Sequence, residues 1–190
     1  MLVLSLNAPP KTTKLDVYVS LGSNIDREKN LSRALGLLKA HFDPVVCSSV
    51  YESEAVGFVG APFLNLVIGF ETTCELIEVS RTLKSIENKC GRRRDGPRYS
   101  PRTLDLDLLL FGGLVVRENG LCLPRDEITL YAFVLKPLAE VAGDKIHPTL
   151  GKSFSELWRE FDDKASSLVN VNLDLSSYSG DATGRGHETL

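Results

Sequence analysis

Four cysteines, three histidines, one methionine and one tryptophan in 190 residues leave several chemistries without materials. Cys47, Cys74, Cys90 and Cys122 stand singly, with no C-x-x-C and no histidine at ligand spacing, so a zinc site has little to build on and each is expected to be a buried or partly buried free thiol. His41, His147 and His187 are equally scattered, which leaves a histidine-based triad little to build on. Neither G-x-x-x-x-G-K-[ST] nor G-x-G-x-x-G occurs, so a Walker loop and a Rossmann turn are both absent. Any phosphates would have to be held by side chains and metal. The longest apolar runs, such as residues 108–111, fall far short of the roughly 20 residues that span a bilayer. Residues 1–14 lack a basic start and a small-residue cleavage site, so a signal peptide is not expected and the chain is expected to stay in the cytoplasm. A large excess of one charge is missing too. Lys+Arg at 22 against Asp+Glu at 25 argues against coating nucleic acid or anionic membrane by bulk electrostatics.

What is present suits one soluble globular domain, with 43% hydrophobic and 25% charged residues. The expected organisation is an extension at 1–14, a domain at 15–161 and a polar tail at 162–190 whose last dozen residues are mobile. Residues 15–21 alternate apolar and polar and run into Gly22-Ser23-Asn24, a strand entering a turn. Asp26 is placed to cap a helix, and Leu31, Ala34, Leu35, Leu38 and Phe42 recur at the spacing of one buried helix face. Residues 45–51 and 63–72 read as strands, joined by a Gly- and Pro-containing stretch at 52–62. Leu76, Val79, Leu83 and Ile86 mark a second amphipathic helix ending at Cys90-Gly91, and residues 103–111 a fourth strand. This βαββαβ order predicts a ferredoxin-like α+β layer, an antiparallel sheet with both helices on one face. Residues 115–123 could add a hairpin, and 129–136 and 153–161 short helices.

The chemistry concentrates between Gly91 and Asp107. Five arginines, at 92, 93, 94, 98 and 102, occupy eleven residues of an otherwise acidic chain and call for an anionic partner or a solvated surface. Asp105 and Asp107 lie two apart in the fourth strand, so both carboxylates project from one face while Leu104, Leu106 and Leu108 take the other. Adjacent carboxylates repel unless a cation lies near them, and magnesium, which takes one or two carboxylates and completes its shell with water and phosphate oxygens, fits such a pair. The plainer alternative is two solvent-facing aspartates. Arginines beside the pair favour phosphoryl transfer, where metal and cationic clamps share the migrating charge.

Arg98-x-Ser100-Pro101-Arg102-Thr103-Leu104-Asp105-Leu106-Asp107-Leu108-Leu109-Leu110-Phe111-Gly112 resembles the hallmark of the 6-hydroxymethyl-7,8-dihydropterin pyrophosphokinase family. Leu21-Gly22-Ser23-Asn24, Ser48-Ser49-Val50-Tyr51, Phe63-Leu64-Asn65, Ile86-Glu87 with Gly91-Arg92, and Phe133-Val134-Leu135-x-Pro137-Leu138 agree in order, so the resemblance covers residues 17–148. It implies a ferredoxin-like enzyme of folate biosynthesis that moves a pyrophosphoryl group from ATP to the hydroxymethyl of a dihydropterin and releases AMP, using two magnesium ions. By the same resemblance Asp105 and Asp107 are the metal ligands, Arg92 and Arg102 grip the triphosphate, and Arg94 assists from its loop. Lys84 and Glu87 would face the nucleotide, with Leu108 beside the adenine. Phe63 and Phe133 would sandwich the pterin, Asn65 would bond its edge, Ser53 and Val56 would offer backbone contacts, and Tyr99 holds a place where the family often has a lid tryptophan. The loops at 52–62 and 91–101 have the length and glycines of lids that exclude water.

Several positions depart from that pattern. Arg125 stands where the family usually has a histidine reaching phosphate, and an arginine can still meet phosphate. Tyr131 replaces a usual arginine, Glu54 a proline or small residue, and Lys84 a glutamine. The partners expected are the two small-molecule substrates alone, bound by a monomer. Two rivals remain: a pterin- or nucleotide-binding relative with little turnover, and an RNA-binding ferredoxin-like module, the latter opposed by the net charge and by the lack of RNP-like strand aromatics.

Overall fold

A computed structural model of the chain describes residues 13–42, 44–92, 101–118, 120–162, 168–173 and 175. Strand β1 (Leu15–Ser23) is central, with β5 (Asp105–Phe111) antiparallel on one side and β4 (Phe63–Thr72) antiparallel on the other. Beyond β4 lie β2 (Val45–Cys47) beside its end and β3 (Val50–Ser53) beside its start. With α1 (Arg27–Phe42) after β1 and α2 (Leu76–Lys89) after β4, this is the expected ferredoxin-like βαββαβ layer.

The local chemistry accounts for the elements. Asp26 enters α1 in the left-handed region at φ 42°, and its carbonyl accepts the Asn30 N–H at 2.9 Å. The Asn30 amide in turn closes the bend onto the Ile25 carbonyl at 2.7 Å. Helix α2 starts at a capping box between Glu75 and Glu78 and ends at Gly91, whose φ of 76° is the left-handed terminus that favours glycine. Leu31, Leu35, Leu38, Leu83 and Ile86 press against Val17, Val19, Leu21, Leu66 and Ile68 to form the main core, with Phe42 stacked on Phe70 at 4.2 Å.

Residues 45–51 form two strands, not the single one expected. At the break the Ser48 N–H donates to the Val67 carbonyl and its hydroxyl accepts the Val67 N–H, at 2.9 and 3.0 Å, so a side chain stands in for a ladder partner. The Ser49 N–H is thereby turned out to the Glu140 carboxylate at 2.8 Å.

The second sheet face is covered by later elements. After the hairpin of β6 (Val116–Glu118) and β7 (Leu121–Leu123) come α3 (Glu127–Leu130), α4 (Ala132–Ala142) and α5 (Phe154–Glu160). Helix α4 runs beyond the expected end at 136 because Val134, Leu135, Leu138 and Ala142 make one buried stripe with Val67, Leu109, Leu110 and Phe154, and this packing carries the helix through Pro137. Tyr131, extended at φ −128°, separates α3 from α4.

The polar tail expected at 162–190 contains a strand. β8 (Val169–Val171) pairs antiparallel with β3, Val50 opposite Val171, and Leu173 and Leu175 pack on the main core. The signal was the alternation Val169-Asn170-Val171-Asn172-Leu173-Asp174-Leu175. The dozen terminal residues expected to be mobile lie outside the described residues. Cys90 is buried and Cys122 half-buried as expected of free thiols, but Cys47 and Cys74 are exposed. Among the described residues no helix is long and apolar enough to cross a membrane.

Candidate active site

A cleft of about 380 Å³ opens over the sheet face opposite α1 and α2. Register places its polar floor: Gly22 of β1 lies between Asn65 of β4 and Asp105 of β5, and Ser20 lies beside Asp107. Asp105 and Asp107 share this face, while Leu104, Leu106 and Leu108 are buried in the main core on the other.

The register of β1 against β5 shifts between Tyr18 and Val19, which leaves Leu109 as an extra residue with no partner on β1. Leu109 and Leu110 consequently both face the second core, and the Leu109 carbonyl accepts the Arg125 N–H at 3.1 Å. That bond brings Arg125 to the cleft, where its Nη2 donates to Asp107 Oδ1 at 2.7 Å.

Asp105 is held by two arginines, Arg92 on Oδ1 and Arg102 on Oδ2. Arg92 also donates to the Leu104 carbonyl at 2.9 Å and pairs with Glu87 Oε1 at 3.1 Å. The same Glu87 oxygen accepts the Leu106 N–H at 3.1 Å, so a carboxylate only 4% exposed fixes both the strand and the guanidinium above it. Arg102 is tied through its backbone, its N–H to Asn24 Oδ1 at 2.7 Å and its carbonyl to the Asn24 N–H at 3.1 Å.

Aromatic rings line the opposite side. Phe63 meets Phe58 edge-on at 6.3 Å, and Phe133, at the start of α4, stacks on Tyr131 at 5.0 Å and 13°. Asn65, which also lines the cleft, is buried and donates to Ser53 Oγ at 3.0 Å and the Tyr51 carbonyl at 3.4 Å. The 52–62 connection is anchored at its base, where Arg27 pairs with Glu52 at 2.6 Å and donates to the Pro62 carbonyl at 3.1 Å. Asn24 Nδ2 adds a bond to the Ala61 carbonyl at 3.0 Å.

The cleft thus brings together Ser53, Val56, Phe63, Asn65, Arg92, Arg102, Asp105, Asp107, Arg125 and Phe133 from the residues expected at a site. Leu108 does not line it; its side chain is in the main core, and Leu109 lines the cleft on the same strand face as Asp105 and Asp107. Glu87 is beneath Arg92 instead of facing the cleft, and Lys84 is exposed elsewhere on α2. Arg94 and Tyr99 lie outside the described residues. Sequence reading missed Asn24 and Arg27 as anchors and Phe58, Leu109 and Glu127 as lining. Phe58 and Arg27 carry no local signal, whereas a polar Ser23-Asn24 pair buried at a strand end does mark a clamp.

Two carboxylates on one strand face suit a hard divalent cation, and three guanidiniums paired with them show a site that draws positive charge. Among the described residues no three His, Cys, Asp or Glu side chains gather, so water and substrate oxygens would complete the shell. Charge clamps and aromatic rings lining one cleft on a ferredoxin-like sheet suit a class, the phosphoryl-type transferases.

Comparison with known proteins narrows the class. The sequence profile described as 7,8-dihydro-6-hydroxymethylpterin-pyrophosphokinase (HPPK) matches residues 18–143. The chain is 41% identical over 128 residues to the 2-amino-4-hydroxy-6-hydroxymethyldihydropteridine pyrophosphokinase of Bacillus subtilis, covering 65% of this chain and 76% of that one. It is 35% identical over 160 residues to the protein of the same name from Synechocystis, covering 83% and 82%. Among solved structures, an HPPK-DHPS in complex with substrates superposes with a TM-score of 0.61 at 12% identity, over 77% of this chain and 43% of that one. Plasmodium falciparum HPPK-DHPS with pteroate gives 0.60 at 13%, over 78% and 42%. The chain spans less than half of these solved chains, which share its fold. The chain belongs to the HPPK family.

Proposed function

We propose that the chain transfers the pyrophosphoryl group of ATP to the hydroxymethyl of 6-hydroxymethyl-7,8-dihydropterin, giving the pterin diphosphate and AMP, as a cytoplasmic monomer using two magnesium ions. As an HPPK it is a pyrophosphokinase of folate biosynthesis; the donor, metal, residue roles, location and oligomeric state are the proposal. The observation that carries it is the pairing of Asp105 and Asp107 with Arg92, Arg102 and Arg125 at one end of a cleft whose other side bears Phe63 and Phe133.

Magnesium, when bound, supplies neutralisation of the triphosphate and of the charge that builds on transfer. Asp105 and Asp107 hold it, and Arg92 and Arg102 orient the phosphates. Phe63 and Phe133 flank the pterin bicycle, whose stacking contributes on the order of 1 kcal/mol per ring. The Asn65 amide and the Ser53 hydroxyl meet its polar edge. Attack by a primary alcohol on the β-phosphorus needs alignment and charge neutralisation more than covalent help, which agrees with a site rich in cations and poor in nucleophiles. Arg94 and Tyr99 receive their loop roles on sequence alone, and Lys84 and Leu108, which do not line the cleft, keep their places beside the nucleotide on the family resemblance alone.

The test is AMP formation from ATP and magnesium with and without the dihydropterin, in the native chain and in Asp107→Ala. AMP that requires pterin and vanishes in the variant is expected. A folded protein that binds pterin and forms no AMP would instead support the binding-only relative, a reading the named relatives do not favour.

A further inference from the structure

Asp107 has a cation of its own. Arg125 Nη2 lies 2.7 Å from Asp107 Oδ1, and Arg125 Nε lies 3.3 Å from Glu127 Oε2, so one guanidinium bridges two carboxylates. Its backbone is pinned as well, by the N–H bond to the bulged Leu109 carbonyl. The side chains are 28% exposed for Arg125, 39% for Asp107 and 37% for Glu127, so the bridge sits at the mouth of the cleft where an incoming ion meets it first. Asp105, deeper and 19% exposed, is already engaged by Arg92 and Arg102.

We propose that Arg125 is an internal counter-ion which a divalent cation must displace from Asp107, and that Glu127 is the seat to which the displaced guanidinium withdraws. This rests on reading Asp105 and Asp107 as metal-holding. A guanidinium against Asp107 and a divalent cation on the same carboxylate repel each other at short range, so the two occupancies compete. Glu127 changes the outcome of that competition. Because Glu127 Oε2 lies 3.3 Å from Nε, whose N–H makes no hydrogen bond while the guanidinium is held on Asp107, Arg125 can give up Asp107 and turn that unused donor to Glu127, staying beside whatever anion arrives with the metal. Bare divalent ions are therefore held weakly by the free protein, and an anionic substrate that offers Arg125 a third partner strengthens metal binding.

The experiment is a titration of the full chain with manganese(II), without nucleotide, read by the loss of the free-ion EPR signal. Arg125→Gln is expected to bind manganese about threefold to fivefold more tightly than the native chain, the range of a partly exposed ion pair. Arg125→Lys, which keeps the charge, is expected to stay weak. Glu127→Gln is expected to weaken binding about twofold, and this effect should vanish in the Arg125→Gln background, because a seat matters only when there is an arginine to occupy it. Arg125→Gln binding no more tightly than the native chain overturns the counter-ion role. A Glu127→Gln effect equal in both backgrounds overturns the seat. Asp107→Asn separates the underlying reading: native-like manganese binding in that variant overturns the metal assignment itself, independently of how Arg125 behaves.

Discussion

Asn24 and Arg102 hold each other by two bonds, the Arg102 N–H on Asn24 Oδ1 at 2.7 Å and the Asn24 N–H on the Arg102 carbonyl at 3.1 Å. The free end of the same amide reaches the Ala61 carbonyl at 3.0 Å. One buried side chain at the end of β1 therefore ties the arginine-bearing strand entry to the base of the 52–62 connection.

Asn24→Ala leaves the Arg102 N–H and the Ala61 carbonyl without their partner and is expected to cost about 2–3 kcal/mol in urea unfolding. Asn24→Asp separates the two bonds, since a carboxylate still accepts from Arg102 but cannot donate to Ala61. Its expected signature is a weaker pterin affinity with the nucleotide affinity nearly native. Equal losses on both substrates would show that the bonds do not act on separate sides of the cleft.

Glu87 is a positioning residue for Arg92. Glu87→Ala takes one of its partners from Arg92, which keeps Asp105 and the Leu104 carbonyl, and orphans the buried Leu106 N–H, so a loss of about 1–3 kcal/mol is expected. Glu87→Gln keeps an acceptor for both groups and should retain most of the stability. Its readout is kinetic: a rise in the nucleotide KM with the pterin KM unchanged. A purely structural Glu87 would move both together.

Gly22 faces the cleft floor between Asn65 and Asp105. A Cβ there would lie 3.3 Å from Asn65 Oδ1 and 3.7 Å from Phe63 Cδ1, tight against one group and in ordinary contact with the other. Gly22→Ala is therefore expected to fold but to displace the Asn65 amide by a few tenths of an ångström, and to lower pterin affinity severalfold, measured by calorimetry. Unchanged pterin binding would remove Asn65 from the acceptor site.

Periodicity made the layer legible. Apolar positions at three- and four-residue spacing gave α1 and α2, and the two-residue period alone placed Asp105 and Asp107 on one face. What periodicity cannot carry is a bulge, because one unpaired residue reverses the facing of everything after it. That is why Leu110 faces the second core and Phe111 the main one, the reverse of their places in the alternation, while Leu109 keeps the face of Asp105 and Asp107. The burial of Glu87 is likewise outside the reach of periodicity, since its partners Arg92 and Leu106 are 5 and 19 residues away in the chain. The strand β8 was different. Its alternation stood in the sequence and was outweighed by the polar composition around it.

Tyr51 gives the protein an alkaline signature. Its hydroxyl donates to Glu140 Oε1 while Glu140 Oε2 takes the Ser49 N–H at 2.8 Å, so this carboxylate locks α4, which carries Phe133, to the broken strand pair. Burial first, and then the hydrogen bond to Glu140, push the Tyr51 pKa up to about 12. The unfolded chain releases this proton near pH 10 and the folded one near 12, so the contribution is complete below pH 10 and is lost as the pH rises through 12. Tyr51→Phe leaves the Glu140 carboxylate one donor short and is expected to be about 1–2 kcal/mol less stable at pH 8. The difference should shrink steadily between pH 10 and 12, where the native chain loses what the variant never had. Thermal unfolding of both proteins across that range measures it. A gap that stays constant would mean that Tyr51 titrates alike in both states and that the Glu140 bond does not hold its proton.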